Sequence, residues 1–196
     1  MNSYVAPAQE NPLTTIASAT KTAAGEKTIP AAVLYGIAAA VALTDQWVKA
    51  WASAHLRPMD TLPVLPGVFH LTYTENRGMA FSLLEGQTGL LVAAAVLVIG
   101  GIVWAQTRIG ARLPVVLCLS LALALGGALG NLIDRARLGY VVDLFDARII
   151  RFPIFNVADT AITFGIVLLA WRVALSPATS AEDGEPPPLA GLGGQP

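Results

Sequence analysis

Four apolar stretches, each near the length that spans a lipid bilayer, constrain this chain more than any other feature. They run over residues 29–52, 88–106, 113–130 and 155–175. A helix crossing the hydrocarbon core needs roughly 20 mostly apolar residues. Inside hydrocarbon every backbone group must be satisfied within the segment, so each stretch reads as a transmembrane α-helix. Composition agrees: 55% of residues are hydrophobic and 13% charged, against roughly 25% charged in soluble domains. The expected fold class is an all-α membrane protein with four transmembrane helices and a small β-rich loop region.

The second and third stretches are joined by residues 107–112, a link short enough for an antiparallel pair. The longer segments 55–86 and 135–154 lie together on the other side. Both hold short β-branched or alternating runs, from Val68 to Thr74 and from Tyr140 to Val142. Extended structure at the membrane surface is expected there, since an open sheet edge does not sit in lipid. Gly126 and Gly130, four apart in the third stretch with Gly127 between them, permit a close helix approach. Plain tolerance of glycine in membranes accounts for them equally well.

Residues 1–28 are polar and weakly charged, with no short apolar core ending in a cleavage site. They read as a flexible tail and not as a signal peptide. Residues 177–196, rich in Pro, Gly and acids, read as a disordered tail. The domain expected between them covers residues 29–176. With 12 basic and 13 acidic residues, and no basic stripe or aromatic RNA-binding pattern, nucleic acid is not an expected partner. Cys118, alone in an apolar run, reads as a small buried hydrophobe. On one side lie Lys21, Lys27, Arg108, Arg112 and Arg172. On the other lie Lys49, Arg57, Arg77, Arg135, Arg137, Arg148 and Arg151. The positive-inside rule weakly places the larger loops in the cytoplasm.

Acids gather at one depth. Asp45 lies near the end of the first span, Asn131 and Asp134 at the end of the third, Asn156 and Asp159 at the start of the fourth. Alternating spans bring these ends to one side, and Asp143 lies in the loop between two of them. An Asp in hydrocarbon costs roughly 2.5–3.5 kcal/mol on insertion scales, so such acids face the interior and find partners. Asp45 and Lys49, at i, i+4, can pair on one helix face. Asp134 with Arg135 and Asn131 suits a helix-end network. Asp159 suits a helix N-terminus, where a carboxylate is favoured.

Two close aspartates have a further property: they cannot both ionise easily, so one keeps a proton. One can then activate water while the other acts as an acid, with no metal required. Other chemistries fare worse. Only His55 and His70 occur, without H-E-x-x-H, and no G-x-S-x-G is present. Nucleotide-binding glycine loops and a dense acidic motif for Mg²⁺ are also missing. Two rival classes stand beside a peptidase: a proton-conducting transporter, although the interiors of the second and third spans hold no charge, and a non-catalytic assembly protein.

At these residues the chain resembles the lipoprotein signal peptidases, or signal peptidase II, an aspartyl peptidase family. Asp45-Gln46-Trp47-Val48-Lys49 looks like the family's D-Q-x-x-K segment, and Asn76-Arg77-Gly78-Met79-Ala80-Phe81-Ser82 like its N-x-G-x-A-F-S segment. The run from Gly126 to Arg135 looks like G-G-A-L-G-N-L-x-D-R. Gly139, Val141-Val142-Asp143 and Phe155-Asn156-Val157-Ala158-Asp159 follow in order, over about residues 30–176. The resemblance implies Asp143 and Asp159 as the catalytic pair. Asp45, Lys49, Asn76, Gly78, Asn131, Asp134, Arg135, Asn156 and Ala158 are implied as supporting or substrate-binding positions. It implies a bacterial inner-membrane enzyme, with cytoplasmic termini and an extracytoplasmic loop region and site. It would cleave lipid-modified prolipoproteins just before the lipidated cysteine. No cofactor or metal is implied, membrane lipids are expected partners, and a monomer suffices. Met79 and Arg77 depart from the commonest family pattern, at positions expected to touch substrate fit.

Overall fold

In the computed structural model, residues 27–59, 61–78, 86–150 and 152–175 are described. Met79, residues 177–196 and all but the last two positions of the expected N-terminal tail lie outside them. The described residues open with a short strand, β1 (Thr28–Pro30), followed by helix α1 (Ala32–His55). Strands β2 (Thr61–Leu65) and β3 (Phe69–Asn76) form a hairpin. Helix α2 (Thr88–Ile109), strand β4 (Arg112–Pro114) and helix α3 (Val115–Leu138) come next. Strand β5 (Val141–Ala147), a 3₁₀ turn (Arg148–Ile150) and helix α4 (Val157–Leu175) complete it.

Helices α2, α3 and α4 are long and apolar enough to cross a membrane. Helix α1 has the length, 24 residues, but Asp45, Gln46 and Lys49 dilute its apolar character. The most apolar windows of α2 and α4 are 6% and 17% buried within the protein, against 61% for α3. So α3 is the central helix, and the others pack around it. Their outward faces carry Leu90, Val96, Leu97 and Trp104 on α2, and Phe164, Ile166, Val167 and Trp171 on α4. Apolar exteriors of this extent suit hydrocarbon and not water.

Several boundaries differ from the sequence-based expectation. Residues 28–30 and 112–114 are not helical: they pair antiparallel, Ile29 opposite Leu113, in a two-stranded ribbon at the end remote from the sheet. Helix α3 also runs past residue 130 to Leu138. Polar groups continue it because partners inside the protein meet them, and it stops only where Gly139, at φ 81°, takes the left-handed cap. Asn131 and Asp134 are therefore held within the helix and not at its end.

The expected extended runs do form one sheet, in the order β2-β3-β5, all antiparallel. Between Leu71 and Thr74, β3 carries one more residue than the β5 segment it faces. Such a bulge re-aims nearby side chains, and it lies next to Asp143, which pairs with Thr74. Leu144 of β5 packs on Ala52 and Leu56 of the α1 end, seating the sheet on the helices. Phe155 is stitched to β5: its carbonyl accepts the N–H groups of Leu144 and Phe145, and its own N–H donates to the Phe145 carbonyl. The start of α4 is thereby fixed beside Asp143.

The α3 glycines are close-approach positions. A Cβ at Gly126 would lie 2.7 Å from the Ala38 carbonyl of α1, and one at Gly127 would overlap the Ala158 carbonyl of α4. A Cβ at Gly130 would lie 2.5 Å from Asp45 Oδ2. Gly130→Ala is thus expected to destabilise the protein by about 1–3 kcal/mol, read as a lower thermal midpoint in detergent. Gly100→Ala, whose Cβ would meet nothing within 4 Å, should leave that midpoint level or raise it.

Candidate active site

Lys49 is the polar centre of the molecule. It is 3% exposed, and an ammonium carries three donors that must all be met when it is buried. They go to Asp45 Oδ2 at 2.8 Å, Asp134 Oδ2 at 2.9 Å and Asn131 Oδ1 at 2.9 Å. The i, i+4 pair expected on α1 is present, but the cation also binds α3. Asp134 therefore pairs with Lys49, and the expected local network with Arg135 is replaced by an interhelical one. Gln46 adds a second tie, donating to Asp134 Oδ1 at 2.9 Å and to the Gly130 carbonyl at 3.2 Å. Gln46 was not among the expected site residues. Its signal was an amide beside Asp45 in an otherwise apolar helix.

Each carboxylate of this hub spends its remaining capacity on backbone. Asp45 Oδ1 accepts the Ala158 N–H at 2.9 Å, so α1 satisfies one of the free donors at the start of α4. Asp134 Oδ2 accepts the Val142 N–H at 3.1 Å, beside Asp143 on β5. One ion cluster thus positions the backbone next to both proposed catalytic residues. Ala158 serves through its backbone and through the smallness of its side chain, which faces the Gly130 position.

Asn156 and Asp159 open α4 with a capping box. Asn156 Oδ1 accepts the Asp159 N–H at 2.8 Å, and Asp159 Oδ2 accepts the Asn156 N–H at 3.3 Å. Asp159 does cap, from the third helical position, yet one oxygen remains for the site: Oδ1 accepts the Asn131 amide at 2.8 Å. Asn156, fully buried, also donates to Asp143 Oδ1 at 2.6 Å and to Asn131 Oδ1 at 3.2 Å. It bridges the two aspartates. Asp143 Oδ2 accepts the Asn76 amide at 2.9 Å. Asn76 Oδ1 in turn accepts the Gly78 N–H at 3.0 Å, and the Gly78 carbonyl accepts Arg135 Nη2 at 2.9 Å.

Asp143 and Asp159 line one cavity of about 690 Å³. Its polar wall is Asn76, Gly78, Asn131 and Arg135, and its apolar wall is Phe152, Ile154, Phe155, Ile162 and Phe164. Burial, and then the charge of Asp159, push the Asp143 carboxyl up to about 7. The amide donors Asn76 and Asn156 pull the other way but do not cancel it. The two aspartates are therefore coupled through space as well as through Asn156. Among the described residues no group of three or more His, Cys, Asp or Glu is arranged to hold a metal ion.

The eleven site residues expected from the sequence thus meet in one connected network. A family model described as signal peptidase (SPase) II matches residues 37–175. The lipoprotein signal peptidases of Moorella thermoacetica and Streptococcus thermophilus are 48% and 45% identical to the chain over 139 and 141 residues. Those matches cover 71% and 72% of this chain, and 91% and 88% of the relatives. Two solved bacterial membrane enzymes, at 2.3 Å and 1.9 Å resolution, share the fold with TM-scores of 0.70 and 0.66, at 28% and 29% identity. They cover 76% and 74% of this chain, and 92% and 95% of their own.

Lys49→Met leaves Asp45 and Asp134 buried without their cation, and should cost about 3–5 kcal/mol of stability. Arg148→Met, which breaks a half-exposed pair with Asp146, should cost about 0–1 kcal/mol. Thermal unfolding of the two variants in the same detergent measures the contrast.

Proposed function

The chain belongs to the signal peptidase II family, and from that premise we propose that it is an aspartyl endopeptidase of the bacterial inner membrane. It removes signal peptides from diacylglyceryl-modified prolipoproteins by cutting just before the lipidated cysteine. Asp143 and Asp159 are its catalytic pair. The observation that carries this reading is their arrangement: two carboxylates from different elements, bridged by Asn156, on the wall of one cavity.

The chemistry follows from the surroundings of each acid. Asp143, pushed up to about 7, carries the proton and hydrogen-bonds to the scissile carbonyl oxygen. Asp159, at the α4 N-terminus and held by Asn131 and the Asn156 N–H, takes a proton from water. The water oxygen adds to the carbonyl carbon and gives a tetrahedral intermediate. A proton passes to the leaving nitrogen, the carbon–nitrogen bond breaks, and a carboxylic acid and a free amine result. Lys49, Asp45 and Asp134 hold the backbone on which the pair stands, and Asn76 and Asn156 fix the Asp143 rotamer. Arg135 lines the cavity with both aspartates and holds the Gly78 carbonyl. The apolar wall from Phe152 to Phe164 takes the lipid-bearing part of the substrate.

All four helices span the membrane in this reading, α1 included, because its charges are neutralised inside the protein. Both termini are cytoplasmic, and the sheet and site lie near the extracytoplasmic face. Five of the seven basic residues on the sheet side are held by partners inside the protein. Arg57 and Arg77 bind Glu75, Arg148 binds Asp146, and Lys49 and Arg135 are committed to the site. On the other side Arg108 stacks on Trp104 and Arg112 binds Thr28. Among the described residues neither pairs with an acid. Residues 29–176 form the peptidase unit, and one monomer in membrane lipid is sufficient.

Asp143→Asn and Asp159→Asn should each lower cleavage of a lipidated prolipoprotein by at least roughly 10²–10⁴-fold while keeping the wild-type melting curve. Full turnover by either folded variant sinks the assignment. The sign for pH follows from the raised carboxyl. Protonated Asp143 is the active form, so kcat/KM drops about tenfold per pH unit above about 7. A pH profile of the purified enzyme that is flat through pH 9 would contradict the role given to Asp143.

A further inference from the structure

The proposed chemistry uses none of Arg57, Tyr73, Glu75, Arg77 and Tyr140, yet these five side chains form a closed ring beside the cavity. Glu75 Oε1 accepts Arg57 Nη2 at 3.2 Å, and Oε2 accepts Arg77 Nη2 at 3.1 Å. The Arg57 guanidinium lies over the Tyr73 ring, 5.6 Å from its centroid, and that of Arg77 over Tyr140 at 5.4 Å. Burial, and then the neighbouring Tyr140, push the Tyr73 hydroxyl up to about 12, so the two tyrosines stand side by side at the far side of the ring.

The ring joins three pieces of backbone: the turn after α1, the end of β3, and the residue before β5. It brackets Asn76, the donor to Asp143. Successive side chains of an extended segment alternate in direction, so Glu75 and Arg77 form the ring while Asn76, between them, reaches the aspartate. The β3–β5 ladder ends at this position, Asn76 opposite Val141 being its last pair. A strand end frays unless something beyond the ladder holds it. Single exposed ion pairs hold little, but here one carboxylate binds two guanidiniums, each seated on an aromatic face.

We infer that Glu75 is a positioning residue of the reaction: it clamps the end of β3 on both sides, so that the Asn76 amide stays on Asp143 through turnover. The inference rests on the aspartyl reading above. Asp143 is faced by Asp159 from α4, Asn156 from the turn before it, Asn76 from β3, Lys49 from α1 and Arg135 from α3. Of these contacts the ring governs the one from Asn76. Loss of an amide donor to a carboxylate favours its protonated form, so loosening Asn76 moves the alkaline limb of the pH profile upward.

The test is a double-mutant cycle of Glu75→Ala and Asn76→Ala on a lipidated prolipoprotein in detergent. Glu75→Ala should lower kcat about 5–10-fold with KM within about twofold, and shift the alkaline limb upward by a few tenths of a pH unit. Asn76→Ala should shift it the same way, and the double variant should be no worse than Asn76→Ala alone, since both act through one contact. Tyr140→Phe removes one hydroxyl, Glu75→Gln leaves an acceptor for only one of the two guanidiniums, and both should give smaller effects in the same direction. They carry the test if Glu75→Ala does not fold. Additive losses, or an unshifted limb, overturn the positioning role. So does a change confined to KM that varies with salt and substrate charge, because the rim would then be reading the substrate. Failure of the parent reading is separate: Asp143→Asn would keep its activity.

Discussion

A buried ammonium can be held in a membrane protein only by fully satisfying it, and in this chain Lys49 sets that condition. Its three donors reach two carboxylates and an amide, drawn from α1 and α3. Taking these ions out of water is costly, and the cost is offset only where geometry is good and remaining lone pairs are used. They are used here on backbone N–H groups, one at the start of α4 and one on β5. The same bonds that make the cluster tolerable therefore place the two elements that carry Asp159 and Asp143. Stability and site geometry come from one set of contacts.

The rest of the architecture keeps that cluster dry and sets a cavity beside it. Glycines at 126, 127 and 130 let α1 and α4 close on α3, so little space separates the polar groups from helix backbone. The outer faces of α2 and α4 are apolar and meet lipid. The sheet covers the other end, seated by Leu144 on Ala52 and Leu56. Between them lies a cavity with a polar wall and an apolar one. In so poorly hydrated a place, an acid near another acid cannot easily ionise, and this is the electrostatic basis for giving Asp143 and Asp159 different roles.

Much of this was legible in advance because lipid imposes strict rules. Run length located three helices that qualify as spans and the helix α1 beside them. The alternation of helix direction alone put Asp45, Asp134 and Asp159 at one depth, and they do share a network. Less legible were features that depend on contacts. The ends of the first and third spans were misplaced, because the ribbon between residues 28–30 and 112–114 competes with helix there, and because α3 is prolonged by internal partners for Asn131 and Asp134. The capping and catalytic readings of Asp159 looked like alternatives from spacing. In the structure Asn156 is the cap residue, Asp159 completes the box with one oxygen, and the other oxygen faces Asn131. The ring around Glu75 gave no pattern of its own, since nothing in local spacing says that Arg57 and Arg77 meet on one carboxylate.

By itself the sequence determined that this chain belongs in a bilayer, how many long helical segments it has, and which acids are too expensive to be accidental. Those properties follow from hydrophobic length and from the cost of a charge in hydrocarbon, both readable along the chain. The motifs added which acids to rank first. Only the tertiary structure decided the pairing: Lys49 with Asp134 across two helices, Asp45 on the backbone of α4, Asn156 with Asp143. Such partners lie 13 to 113 residues apart in sequence. Contacts at that range depend on how glycine-lined helices close and how a bulged strand turns its side chains, and no periodicity along the chain encodes that geometry.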